Sequence, residues 1–300
     1  MTDYVGRYAP SPTGPLHFGS LVTAVASYLE AKTQSGKWLL RMEDLDKPRE
    51  MPGAADDILR TLESYGFEWD GEVVYQSQRS DLYQSYLDQL IDKQRVYPCN
   101  CSRREIADIA HAGIEGPIYP GSCRHGLSSD RQQIAWRLRV DSDRLDFSDR
   151  VYGDIQHHLE NDFGDFILKR ADGLFAYQLA VVVDDAEQGI NHVVRGADLL
   201  NSTSRQIYLQ QLLGVSTPSY THIPLVKNAQ GEKLSKQTAA PAIKNNEATA
   251  RLINALYFLG LDIATLSSAM PVSTLWQWAL THWQLSSVQK KIIQKNSEKS

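Results

Sequence analysis

The strongest constraint on the fold of this chain is a strand, a loop, a helix and a second strand laid down within its first 41 residues. Tyr4 to Tyr8 is a short run of β-formers, followed by a Pro/Ser/Thr/Gly loop from Pro10 to Gly14. From Ser20 to Lys32 the residues Leu21, Val22, Val25, Ala26 and Leu29 recur at helical spacing. Gly36 supplies a stop signal, and Trp38-Leu39-Leu40-Arg41 reads as the second strand. Further helices fit Ala54 to Ser64, closed by Gly66, and Arg79 to Lys93, with Leu82, Tyr86, Leu87, Leu90 and Ile91 on one side. Strands alternating with helices of this length imply βαβ units and a mainly parallel, doubly wound sheet.

The pattern breaks near Pro98. Residues 98–125 are rich in Cys, Gly, Pro and His and show no long period, and alternation returns in Ala135 to Val140 and in Asp165 to Leu168. The α/β pattern resumes with a helix near Leu179–Glu187, a strand at His192–Arg195 and a helix over Thr203–Leu213. The expected organisation is an α/β Rossmann-type domain in two halves, 1–97 and 171–244, split by an insertion at 98–170. A small helical region at 245–300 (Ala248–Leu259, Val272–Trp283) ends in a Lys/Ser-rich tail.

A chain of 300 residues has room for about two domains and a substantial core. Its 42% hydrophobic and 22% charged residues are those of a folded soluble protein, not a disordered one. No stretch approaches the roughly 20 apolar residues of a membrane span. The start, MTDYVGRYAP, has no signal-peptide character, so a cytoplasmic protein is expected. A net charge of −5 argues against coating nucleic acid by bulk charge, while leaving a local basic face open.

Arg7-Tyr8-Ala9-Pro10-Ser11-Pro12-Thr13-Gly14-Pro15-Leu16-His17-Phe18-Gly19-Ser20 joins the first strand to the first helix, where doubly wound sheets bind ligands. Glycines there permit close backbone approach, the helix N-terminus offers N–H groups to an anion, and His17 could donate to a phosphate. A Pro-rich loop capped by Ser20 with an incidental histidine reads equally well on spacing alone. Lys233-Leu234-Ser235-Lys236, in a Gly-containing loop running from Lys227 to Gln237, suits a lid that closes on polyphosphate. Alone it reads better as a solvated surface loop.

These residues together carry a resemblance. The first loop resembles the HIGH signature of class I aminoacyl-tRNA synthetases, and Lys233-Leu234-Ser235-Lys236 resembles their KMSKS loop. Arg41-Met42-Glu43-Asp44-Leu45-Asp46, and the stretch from Asp165 to Leu200 containing AYQLAVVVDDAEQGINHVVRGADLL, are similar to the glutamyl subfamily. The blocks span about residues 5–240 in the family's order. Ser20 departs from the second histidine of HIGH, and Gln237 from the last serine of KMSKS.

Binding free glutamate requires two carboxylates and one ammonium to be satisfied. Arginine suits a carboxylate through its planar fork, and a carboxylate suits the ammonium. The resemblance implies that Glu43 holds the α-amino group. It implies that Arg7, Tyr177 and Arg195 contact carboxylate and orient the side chain, beside Tyr8, Ala9, Pro10 and Ser11. For Arg195 a structural ion pair with Asp198 is the competing expectation. For ATP the implied contacts are His17, Gly19, Lys233, Ser235 and Lys236, with His17 and Lys236 catalytic. Magnesium is expected on the ATP phosphates with few protein ligands. Asp184-Asp185 is accordingly read as binding a ribose hydroxyl or as capping and pairing locally.

The three cysteines, Cys99, Cys101 and Cys123, fall within 25 residues and supply one ligand fewer than a closed tetrahedral zinc site. Tyr119, His125 and His111 are the candidates for the fourth, and chemistry alone favours a histidine. The resemblance implies Tyr119, through the Cys-x-Cys…Tyr-x-x-x-Cys pattern of short glutamyl-synthetase-like proteins. No nucleophile or acid–base pair accompanies the cluster, so a structural Zn2+ is expected.

Beyond residue 244, soon after the KMSKS-like loop, only about 55 residues remain, too few for the anticodon-reading domains of a full glutamyl-tRNA synthetase. With the HFGS form of the first motif and the cysteine pattern, this resembles the glutamyl-Q tRNA(Asp) synthetase family. The resemblance implies formation of glutamyl-adenylate and transfer of glutamate to queuosine in the anticodon loop of tRNA(Asp), without charging tRNA(Glu), by a monomer that binds no membrane. Two rivals differ in outcome: a truncated synthetase that charges a tRNA 3′ end, and a catalytically silent RNA- or protein-binding module. Lys227, Lys233, Lys236 and Lys244 could form the basic face that an RNA partner requires.

Overall fold

The computed structural model describes residues 3–127, 129–141, 144–227 and 241–289. β1 (Val5–Tyr8), α1 (Phe18–Lys32) and β2 (Lys37–Met42) form the first crossover, with β1 and β2 parallel and Arg7 opposite Leu39. The turn into β2 is tight at Gly36, where a Cβ would stand 2.5 Å from the Tyr4 carbonyl oxygen. α2 (Ala54–Ser64) leads to β3 (Val74–Tyr75), parallel to β2, and α3 (Ser80–Asp92) to β4 (Val96–Cys99).

Residues 98–170 hold α4 (Arg103–Ile109), the hairpin β5 (His111–Gly113) and β6 (Gly116–Ile118), then β7 (Ala135–Leu138), β8 (Leu145–Asp149), β9 (Gly153–His157), α5 (Leu159–Asp162) and β10 (Phe166–Lys169). This stretch is woven into its surroundings. β7 pairs antiparallel with both β4 and β10. The β8–β9 hairpin joins the sheet of the second half, with Asp149 opposite Tyr220.

That second half contains α6 (Tyr177–Glu187), β11 (His192–Gly196), α7 (Ser202–Leu213) and β12 (Ser219–Ile223), with β11 and β12 parallel. β11 lies beside β1. There the Asn191 backbone N–H donates to the Val5 carbonyl at 3.1 Å, and its side-chain oxygen accepts from the Val5 N–H at 2.8 Å. The strand order is therefore β3-β2-β1-β11-β12-β8-β9, a doubly wound arrangement whose direction of winding switches between β1 and β11.

Alternating strand residues face two helical layers. Tyr8, Trp38, Leu40, Val194 and Ile223 pack into one core with α1 and with α8 (Ala248–Phe258) and α9 (Val272–His282). Val193 and Tyr220 face a second core with α3, α6 and α7. The C-terminal helices are pinned to the first core by Trp276 Nε1 donating to the Tyr65 carbonyl at 2.9 Å, and by Trp283 Nε1 donating to Glu30 at 2.8 Å. Among the described residues no helix is long and apolar enough to cross a membrane.

Candidate active site

A cleft of about 240 Å³ opens at the carboxyl ends of β1, β2 and β3, lined by Ser11, Glu43, Gln76, Phe175 and Tyr177, with Arg49 and Arg170 also on its wall. Its residues come from different loops at the carboxyl ends of the strands. Ser11 follows β1, Glu43 follows β2, Gln76 follows β3 and Tyr177 begins α6. The Glu43 backbone N–H donates to the Pro10 carbonyl at 3.0 Å, fastening the acidic loop to the Pro-rich one. Asp44 holds the other side, accepting from the Ser77 N–H at 2.8 Å and its hydroxyl at 2.5 Å.

Beneath the cleft lies a buried ionic network. Arg7 donates through Nε to Asp185 at 3.1 Å, and Arg41 Nη2 stands 2.8 Å from the same Asp185 oxygen and 3.7 Å from Glu43. Arg41 is fully buried, and its Nη1 donates to Gln188 at 2.7 Å. Asp184 accepts from Gln76, Arg79 and the Tyr83 hydroxyl, each at 2.7–2.8 Å. The Asp184-Asp185 pair thus serves ion pairing, with partners about 100 to 180 residues away in the chain and not the local ones expected.

The electrostatics separate the carboxylates. Burial pushes the Glu43 carboxyl above its ordinary range, although Arg41 and Arg7 pull the other way. Burial would also raise Asp185, but contact with Arg7 and Arg41 holds it below the ordinary range. Glu43 is therefore an acid of the cleft wall whose ionised form an incoming cation would relieve. Burial raises the Tyr177 phenol, partly offset by Arg195.

Arg195, at the end of β11, reaches the Tyr177 hydroxyl with Nη1 at 3.5 Å. Glu43, Tyr177, Arg195 and Ser11 are therefore brought together. Arg7 lies under them, turned to Asp185. Tyr8 is not part of the group: its ring stacks on Trp38 in the core and its hydroxyl donates to the Ser20 carbonyl at 3.3 Å. The reason is strand alternation, which sends Arg7 and Tyr8 to opposite faces. Ala9 and Pro10 follow directly on the end of β1, where the Pro10 carbonyl is taken by the Glu43 N–H.

His17, not Ser20, caps α1. Its Nδ1 accepts from the Ser20 N–H at 3.3 Å, so a neutral ring carries its proton on Nε2. Gly19 lies in the first turn of α1, which contains no acidic side chain, as an anion would require. Lys233, Ser235 and Lys236 lie outside the described residues. The chain on either side of them is placed: β12 ends at Ile223, and the Ile243 N–H donates to the Leu16 carbonyl, next to His17, at 3.0 Å. Lys227 and Lys244, from the expected basic face, are exposed.

The cysteine cluster forms as expected. The sulfurs of Cys99, Cys101 and Cys123 all lie within 4.8 Å of one another and could hold a metal ion. The Tyr119 oxygen stands 3.4 Å from both the Cys99 and the Cys101 sulfur and accepts from the Cys123 N–H at 2.8 Å. Ligands about 2.0–2.3 Å from a tetrahedral zinc ion stand about 3.3–3.8 Å apart, and the two Tyr119 contacts and the 3.5 Å between the Cys101 and Cys123 sulfurs match that spacing. His111 and His125 are exposed, and neither joins the sulfur group. Thus the tyrosine, rather than the histidine that chemistry alone favours, meets the sulfurs.

Two arginines escaped the sequence reading. Arg137 donates to the Cys99 sulfur at 3.2 Å and covers the Tyr119 ring at 3.9 Å, a cation set directly beside the cysteine cluster. Arg41 is the other, and its place on a strand directly before Glu43 was the available signal.

The family profile of class I tRNA synthetases (E and Q), catalytic domain, matches residues 4–290. A protein of Dechloromonas aromatica named glutamyl-Q tRNA(Asp) synthetase is 58% identical over 294 residues, covering 97% of this chain and 98% of that protein. One of the same name from Chromobacterium violaceum is 57% identical, covering 95% of each. A crystal structure of a glutamate tRNA ligase from Elizabethkingia meningosepticum, in complex with its amino acid, aligns with a TM-score of 0.79 at 24% identity. The alignment covers 96% of this chain and 66% of that one, and at this identity the likeness speaks to the fold alone.

Proposed function

This chain belongs to the class I tRNA synthetase (E and Q) family, and we propose that it activates glutamate with ATP and transfers it to the queuosine base in the anticodon loop of tRNA(Asp). The observation that carries this reading is the near full-length similarity, at 57–58% identity, to proteins named for that reaction.

The glutamate α-carboxylate attacks the ATP α-phosphorus, giving glutamyl-adenylate and pyrophosphate, and a hydroxyl of the queuosine cyclopentenediol then displaces AMP. Such a reaction asks mainly for positioning and charge stabilisation. In this reading Glu43 receives the substrate ammonium, while Tyr177 and Arg195 orient a carboxylate against the Ser11 wall. Arg7 supports the pocket through Asp185. His17 and the N-terminus of α1 meet the phosphates, with Gly19 allowing close approach. Lys233, Ser235 and above all Lys236 add charge as the second loop closes. Magnesium carried by ATP supplies further neutralisation at the phosphates. No protein nucleophile is required, since AMP is a good leaving group.

Cys99, Cys101, Tyr119 and Cys123 would hold one structural Zn2+, stabilising a part of the chain whose own apolar core is the small cluster around these residues and Tyr97. The enzyme works as a monomer in the cytoplasm, with the basic residues around the second loop facing RNA. ATP–pyrophosphate exchange with glutamate alone tests the first step. Exchange is expected with glutamate, little or none with glutamine or aspartate, and loss in Lys236→Ala. Absence of exchange in the unaltered protein would favour a silent binding module.

A further inference from the structure

Arg7 and Arg195 both lie under the cleft, but their charges are treated differently. Arg7 is paired directly with the Asp185 carboxylate. Arg195 instead meets an imidazole: its Nε donates to His222 Nε2 at 3.0 Å, and its Nη2 donates to the Thr203 hydroxyl at 2.8 Å. Arginine cannot accept a hydrogen bond, so the His222 Nε2 facing it carries a lone pair and the ring proton sits on Nδ1. That proton is given to Asp149 at 2.8 Å. Asp149 is itself fixed by the backbone N–H groups of Val151, Tyr152 and His222, at 2.9–3.0 Å. Asp149, His222 and Thr203 are each no more than 2% exposed.

We propose that the Asp149–His222 pair is a positioning device for Arg195: it sets the tautomer that accepts from Nε and so aims the Nη1 end at the cleft with its charge unspent. A carboxylate in direct contact would orient Arg195 equally well but would neutralise it, as Asp185 does to Arg7. A neutral acceptor fixes direction and leaves the charge for a substrate carboxylate. Two chain segments remote in sequence cooperate here, since Asp149 ends β8 and His222 lies in β12, beside β11. The single pairing of Asp149 with Tyr220 sets the carboxylate beside the imidazole. The inference rests on the reading of Arg195 as a glutamate contact.

The test measures KM for glutamate and for ATP in ATP–pyrophosphate exchange, using His222→Ala, His222→Gln and Asp149→Asn. In Asp149→Asn the asparagine amide faces Nδ1 as a donor, which moves the ring proton to Nε2, against the donating Arg195. His222→Ala and Asp149→Asn should each raise the glutamate KM about 10- to 100-fold, the cost of leaving a buried polar group without its partner, with the ATP KM within about twofold of the unaltered protein. His222→Gln, which offers both an acceptor and a donor, should recover most of the loss. An unchanged glutamate KM in Asp149→Asn overturns the proposal. So does an equal rise of both KM values in the variants with no advantage for glutamine, which marks a purely structural role. If His222→Ala does not fold, the comparison of His222→Gln with Asp149→Asn decides. An unaltered protein inert toward glutamate overturns the functional reading, and this inference with it.

Discussion

Arg7 Nε lies 3.1 Å from Asp185 Oδ1, with side chains only 4% and 5% exposed, so a residue read from sequence as a substrate contact is a member of a buried ion pair. Asp185 also holds Arg41 at 2.8 Å, and through Arg41 the network reaches Glu43 at 3.7 Å. One carboxylate therefore supports the floor on which the proposed glutamate site stands.

Asp185→Asn should cost about 3–5 kcal/mol of stability, because it takes from the buried Arg7 its paired carboxylate and from Arg41 its nearest one. The pH dependence has a fixed sign. The carboxyl is held below its ordinary value in the folded state, so its contribution is present above that value and is lost as pH falls through the lowered one. Urea unfolding at a series of pH values should show the variant and the unaltered protein converging only in acid. A difference independent of pH would remove Asp185 from this role.

Glu43→Gln should behave in the opposite way. Burial raises the Glu43 carboxyl above 4.5 in the folded state, so its stabilising contribution is full below that value and is lost as pH rises through the raised one. At neutral pH the ionised group is a burden. The variant should unfold at the same or a higher temperature, while its glutamate affinity falls about 10- to 1,000-fold through loss of the ammonium partner. Glutamate binding by the unaltered enzyme should weaken on acidification from a pH above 4.5. A variant that loses stability and keeps affinity contradicts the assignment.

The purified protein should contain one zinc ion per chain by elemental analysis. Removal with a strong chelator should lower the unfolding temperature and open the 98–170 stretch to proteolysis. Tyr119→Phe keeps the ring under Arg137 but removes the oxygen 3.4 Å from two sulfurs, and should release zinc more readily to a competing chelator. Equal retention of zinc in the variant would exclude the phenol as a ligand.

Much of this architecture is legible in the chain because its elements are long and periodic. The helix expected over Ala54 to Ser64 has those bounds in the structure, and those expected near Leu179–Glu187 and over Val272–Trp283 shift by at most two residues at an end. Some short elements were not visible. The β8–β9 hairpin alternates weakly and gains its place from pairing with β12, a partner about 70 residues away. Helix α4 has no buried residue to give it a period, though its capping box, Ser102 with Glu105, was a readable signal. At the site, the resemblance to the glutamyl subfamily pointed to Glu43, Tyr177 and Arg195, where residue types alone read equally as ion pairs. The partners of each arginine were hidden, because Asp185 and His222 meet them only through tertiary packing.

The acceptor distinguishes this enzyme from a synthetase that charges a tRNA 3′ end. The most direct test of its identity is transfer of labelled glutamate, in the presence of ATP, to tRNA(Asp) with and without queuosine, followed by cleavage of the RNA to locate the label. Label is expected only on the queuosine-containing tRNA, in the anticodon fragment. Label at the 3′ end, indifferent to queuosine, would contradict it.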